Sequence, residues 1–523
     1  TYTGAVTLSG ADRTLTGTTI NTQGTLAGGG NALTITGAAD IDGAFTGLTS
    51  LSVSGTSNIG ANVTTTGTQT YTGAVTLSGG DRTLTGSTVN TQSTLAGGNN
   101  ALTITGAADI DGAYTGLTTL SVSGTSNIGA NVTTSGAQTY AGAVTLSGGD
   151  RTLTGSTINT RSTLAGGNNA LTITGAADID GAFTGLTTLS VSGTSNIGAN
   201  VTTSGTQTYA GAVTLSGGDR VLTGSTIHTQ STLAGGSNAL TITGTADIDG
   251  AFTGLTTLSV SGTSNIGANV TTSGTQTYTG AVTLSGGDRT LTGTTINTQS
   301  TLVGGNNALT ISGVADIDGA FTDLTSLSVS GTSNIGANVT TSGTQTYTGA
   351  VTLSGGDRTL TGSTINTQST LDGGQHALTL AGNADIGGTV TALSTLNITG
   401  TANIGADITT TGTQTYSGAV TLSGGDRTLT ASTVNTQSSL AGGNHALTIS
   451  GVADIDGDFT GLTTLSVTGT SNIGADITTS GTQTYAGAVT LSGGDRILTA
   501  STVNTQSSLA GGSNALTITG AAD

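Results

Sequence analysis

Short runs in which aliphatic and hydroxyl residues alternate recur along the chain, each closed by glycine and followed by one more aliphatic. The first set reads Leu33-Thr34-Ile35-Thr36-Gly37 with Ile41, then Leu51-Ser52-Val53-Ser54-Gly55 with Ile59, then Val75-Thr76-Leu77-Ser78-Gly79 with Leu84. A period of two places Leu33 and Ile35 on one face and Thr34 and Thr36 on the other, so each run predicts a short strand with its aliphatic side inward. Run starts at Leu33, Leu51, Val75 and Leu102 are 18, 24 and 27 residues apart, and these spacings sum to 69. The pattern predicts three unequal coils in every 69 residues, about 23 residues each on average and roughly 22 or 23 in all.

The same period governs the tyrosines. Tyr2, Tyr71, Tyr140, Tyr209, Tyr278, Tyr347, Tyr416 and Tyr485 follow one another at intervals of 69, each inside a near copy of one phrase. The chain divides into repeats 1–69, 70–138, 139–207, 208–276, 277–345, 346–414 and 415–483, with a partial copy at 484–523. A fixed period of this kind marks a solenoid whose units bury their apolar faces against one another. The expected fold is all-β: a single continuous parallel β-helix over 1–523, right-handed by the crossover rule, with three coils per repeat. At about 4.8 Å per coil a repeat would rise about 14 Å and the whole about 110 Å. A single coil cannot fold alone, because five or six aliphatics at about 1.5–3 kcal/mol each do not offset ordering costs of about 1–2 kcal/mol per residue. Both ends fall within a repeat, so the segment reads as a fragment of a longer chain.

Composition agrees. Proline, methionine and cysteine are absent, while there are 89 glycines, so turns must rely on glycine and asparagine. Without cysteine there is no disulfide framework and no thiolate metal site. A net charge of −18 provides no cationic stripe for phosphates, which argues against nucleic acid. No apolar run reaches the roughly 20 residues of a membrane helix, so membrane insertion is not expected.

Aligning the three runs places Asp40, Asn58 and Arg82 in one outward inter-coil column, with Asp109 above Arg82. A solvated Arg82 to Asp109 salt bridge between repeats would contribute about 0–1 kcal/mol. The pair Asp40-Ile41-Asp42 recurs at Asp109/Asp111, Asp178/Asp180, Asp247/Asp249, Asp316/Asp318 and Asp454/Asp456, whereas the sixth copy reads Asp385-Ile386-Gly387. Neither the EF-hand spacing nor the glycine-rich nonapeptide accompanies it, so solvated corner carboxylates are expected rather than a calcium loop. Repetition also argues against glycan hydrolysis or lyase chemistry, because an active site is a single constellation. His228, His376 and His445 stand where other copies carry asparagine and read as tolerated surface substitutions. No catalytic, cofactor or metal residues are therefore assigned, and the chain is not expected to be an enzyme. The tyrosines are expected to lay their rings on the coil with hydroxyls in water, in preference to stacking on sugars. Threonine arrays could order ice, but on coils of unequal length hydroxyls such as those of Thr64 to Thr66 need not fall in register, so a regular two-dimensional lattice is not expected.

The phrases GTQTYTGAVTLSG at 67–79, NALTITGAADIDGAF at 31–45 and SLSVSGTSNIGANVTTTG at 50–67 resemble repeats of large bacterial exoproteins of the filamentous haemagglutinin type. That resemblance implies a right-handed β-helical shaft exported by a Gram-negative cell, displayed at the surface or released, with no catalytic residues in the shaft. The functional expectation is an extracellular structural shaft or surface fibre that supplies length and stiffness. The alternative is a self-assembling filament, its partner being itself through lateral or end-to-end contact; ice binding and polysaccharide lyase activity rank below. Host or cell-surface glycans would be met through regions outside this segment.

Overall fold

The computed structural model describes all residues, 1–523. It is all-β and without helix, its strands stacked in parallel as a β-solenoid. Two compact units are present, Thr1–Gly262 and Thr263–Asp523.

In the first unit one turn comprises three strand segments. Ser57, Val63 and Gln69 open successive segments on three faces, and Val75 then lies directly above Ser57. Steps between stacked residues are 18 to 21: Ser57 to Val75, Val75 to Leu95, Leu95 to Tyr114, Val63 to Leu84. The spacing is therefore about 19 residues, and the two units together hold about 27 turns. This corrects the expectation of 23-residue coils, three per repeat. The runs at Val75 and Leu102 look alike but are not stacked, since Val75 lies under Leu95 and Leu102 lies over Arg82. Segments the alternation pattern overlooked, such as Gln69-Thr70-Tyr71 and Ser57-Asn58-Ile59, complete the faces.

A repeat holds eleven inward segments, opening at Gln69, Val75, Leu84, Val89, Leu95, Leu102, Ala108, Tyr114, Leu120, Ser126 and Val132. Eleven segments on three faces make three and two-thirds turns, so equivalent residues of successive repeats fall on successive faces. Tyr71 lies in a column that continues through Thr91, Ile110, Ile128 and Leu146 and passes Tyr140 without meeting it. Tyr140 belongs to the column Leu84, Ile104, Val122. Tyr209 belongs to the third, through Tyr114, Val132, Leu153, Ile173 and Val191. The second unit repeats the arrangement, with Tyr416 reached from Phe321 through Val339, Leu360, Leu380 and Ile398.

The interior is a set of aliphatic columns with aromatics interleaved; Leu84, Ile104, Phe45 and Tyr140 are fully buried. Corners are equally specific. Gly106 has φ of +129° and packs so closely over Gly86 that a Cβ would stand 1.8 Å from the Gly86 carbonyl oxygen. Only a residue without a side chain fits that approach.

Candidate functional site

The period-two pattern that buries Leu33 and Ile35 also buries Gln69 and Tyr71, and here the structure departs from the expected wet hydroxyl. Tyr71 is fully buried and donates to Gln69 Oε1 at 2.9 Å. Gln69 Nε2 in turn donates to the carbonyls of Val63 at 3.1 Å and Thr85 at 2.8 Å. The pairing recurs at Gln138–Tyr140, Gln207–Tyr209 and Gln276–Tyr278. These glutamines tie two backbone carbonyls and a phenol together inside the solenoid, so no tyrosine row faces sugars. Burial raises the phenol pKa well above its usual value at every one of these tyrosines.

On the outer surface Asp40 and Asn58 come together as expected, stacked in register with Asn58 Nδ2 donating to Asp40 Oδ1 at 2.8 Å. Asn21, one turn below, donates to Oδ2 at 2.6 Å. The remainder of the proposed column does not form. Above Asn58 stands Thr76, while Asp109 stacks between Asn90 and Asn127, accepting from Asn127 Nδ2 at 2.7 Å. Arg82 instead folds back on its own corner, its Nε donating to Ser78 O at 2.9 Å and its NH1 to Asp81 O at 2.9 Å. Asp81 Oδ1 accepts the Ala101 amide of the next turn at 2.8 Å. The cause is the turn length: a 20-residue step carries Arg82 to Leu102 and leaves Asp109 on another face. The column links side chains of adjacent turns, whereas the clip ties side chains to backbone.

The Asp-Ile-Asp corners are thus partly engaged already, since the first carboxylate accepts a side-chain amide from the turn above at Asp40, Asp109, Asp178, Asp316 and Asp454. The second is more open. Asp111 and Asp318 have pKa values raised from the ordinary carboxylate value, first by desolvation and then by the neighbouring Asp109 and Asp316. Threonine hydroxyls, contrary to expectation, do fall in register on adjacent turns, Thr83 beside Thr103 and Thr85 beside Thr105.

One corner differs in kind. In the fourth repeat His228 replaces the asparagine seen as Asn21, Asn90 and Asn159, and stacks in register under Asp247. Its Nε2 lies 2.8 Å from Asp249 Oδ2 and 3.5 Å from Asp247 Oδ2. Each of the three residues offers one ligand atom, and these atoms all lie within 4.8 Å of one another. No family model and no curated protein matches this chain. His376 and His445 occupy a different corner, where Asn100 and Asn169 donate to the Gly97 and Gly166 carbonyls. Alternation offered the signal for the fourth-repeat corner, because His228 and the Asp247/Asp249 pair are each outward. What hid it was the coil length, without which 19 residues could not be read as one turn. No helix of the chain is long and apolar enough to cross a membrane.

Proposed function

We propose that this chain is part of a structural shaft of an exported bacterial surface protein, supplying length and stiffness outside the cell. One observation carries the reading: within each unit every repeat adds the same eleven segments to the same three faces. A further copy therefore extends the stack by about 18 Å without creating a new kind of cleft. Side chains that recur once per repeat are distributed over the three faces in rotation, a pattern that suits a load-bearing element better than a one-sided recognition surface. Once per repeat an interior glutamine amide bonds a carbonyl of the next turn, as Gln69 does Thr85, and corner glycines stack closely, as Gly106 does on Gly86, so stiffness accrues through nearest-neighbour contacts. The adhesin-type resemblance of the repeats supports the extracellular placement.

Electron microscopy of variants carrying one repeat fewer or one more tests this reading. Particles whose longest dimension changes by about 18 Å per repeat are expected. Particles whose length does not follow repeat number would overturn it.

A further inference from the structure

We propose that His228, Asp247 and Asp249 bind one divalent transition-metal ion of the zinc type. The geometry is that of donors already gathered: one imidazole nitrogen and two carboxylate oxygens, with Nε2 to oxygen separations of 2.8 and 3.5 Å. Ligands at about 2.0–2.1 Å from zinc lie about 2.9 Å apart in an octahedral arrangement and about 3.3 Å apart in a tetrahedral one, so the two imidazole-to-carboxylate separations bracket what the ion requires, and all three donors lie within 4.8 Å of one another. Backbone pairing sets the positions of the three residues. His228 is the penultimate residue of the strand Arg220–Thr229, and Asp247 lies one turn above it in Leu233–Ile248. Asp249 follows two residues on, its amide bonded to the Thr229 carbonyl at 3.0 Å. Supports of this kind fix ligand directions before the ion arrives.

Ligand chemistry sets the class of ion. Calcium and magnesium take oxygen sets, whereas an imidazole with carboxylates suits zinc, nickel, cobalt or copper. Side-chain exposures of 23% for His228 and 47% for Asp249 leave room for solvent to complete the coordination shell. The chain also supplies its own control. Five other repeats carry Asp-Ile-Asp without the histidine beside it, at Asp40, Asp109, Asp178, Asp316 and Asp454. Carboxylates alone would give many equivalent weak sites; the histidine would give one strong one.

The test is titration of the intact, metal-free chain with Zn²⁺ by calorimetry and with Co²⁺ by visible absorption. One ion per chain is expected, with a dissociation constant in the micromolar range or tighter and little competition from Ca²⁺. His228→Asn places at this corner the residue that other repeats carry, so the fold should survive, as circular dichroism would verify; affinity should fall at least tenfold. Asp249→Asn should weaken binding as well, and Asp111→Asn should not. Absence of saturable binding, equal binding by His228→Asn, or several equivalent ions per chain that Ca²⁺ displaces would each overturn the site.

Discussion

The second repeat, 70–138, and the sixth, 346–414, stack in the same way from different residues. Outside, the sixth has shed much: Gly387 stands for Asp111, Gln375-His376 for Asn99-Asn100, and Leu371–Asp372 with Leu378–Ile386 replaces the unbroken strand Leu95–Ile110. Inside, Leu378, Ala384, Ile386, Leu393 and Ile404 keep the places of Leu102, Ala108, Ile110, Leu117 and Ile128, all buried. The one large interior change is Tyr114 to Val390. In the second repeat the Tyr114 hydroxyl lies 2.8 Å from Thr91 Oγ1, whereas in the sixth Thr367 Oγ1 is buried without a partner. The difference teaches that inward volume and corner geometry define the turn, while the exterior is free to vary.

Alkaline pH challenges both repeats hardest. Eight of the nine tyrosines are buried, Tyr2 alone being exposed. Their folded pKa values lie above the unfolded value, so stability is intact below about pH 10 and lost as pH rises further, by about 1.4 kcal/mol per pH unit for each phenol. Absorbance at the phenolate band should show the eight buried tyrosines ionising only together with loss of β circular dichroism. Their smooth titration while the circular dichroism is retained would contradict their burial.

Corner substitutions should come next and should hit both repeats alike. Gly106→Ala and Gly382→Ala each place a Cβ 1.8 Å from a carbonyl oxygen, of Gly86 and Gly362 respectively, at φ of +129° and +148°. Overpacking with backbone strain should cost about 3 kcal/mol or more in denaturant unfolding. Indifference of either repeat would mean that the corners can spread.

Exchanging the interior residue sharpens the contrast. Tyr114→Val should destabilise the second repeat by about 2–4 kcal/mol through the cavity it leaves. Val390→Phe should be neutral or stabilising in the sixth, because Ile477 already stacks on Phe459 as Ile408 stacks on Val390. Destabilisation by Val390→Phe would show that the sixth repeat has closed around valine.

A smaller loss, about 1–3 kcal/mol, is expected from Gln138→Leu, which strips the Tyr140 hydroxyl of its acceptor. Least of all is Ser126→Ala. Ser126 Oγ is buried without a partner, and the sixth repeat has Ala402 at the same place, so the change should be neutral or slightly stabilising.

Much of the fold was legible in the residues. Alternation in Leu33-Thr34-Ile35 gave strand and inward face, and the tyrosine interval gave the repeat. The turn was not legible, because Leu33, Leu51 and Val75 rhyme by duplicated sequence rather than by stacking. Segments such as Gln69-Thr70-Tyr71 do not look apolar, yet a Gln–Tyr pair satisfies itself and fills a face as leucine does. Coils averaging about 23 residues bring Arg82 to Asp109 and keep His228 from its carboxylates, whereas the observed step of about 19 does the reverse. Asp40 and Asn58 were placed correctly because their local step is 18 residues on either reading.

Paired spin labels test the turn of about 19 residues without intermediaries. The chain contains no cysteine, so two can be introduced cleanly. Labels at Thr83 and Thr103, neighbours in register on adjacent turns, should show strong dipolar broadening, whereas labels at Thr76 and Thr103, which fall on different faces, should show little. Broadening of the 76/103 pair with a sharp 83/103 spectrum would contradict the account and restore three coils per repeat.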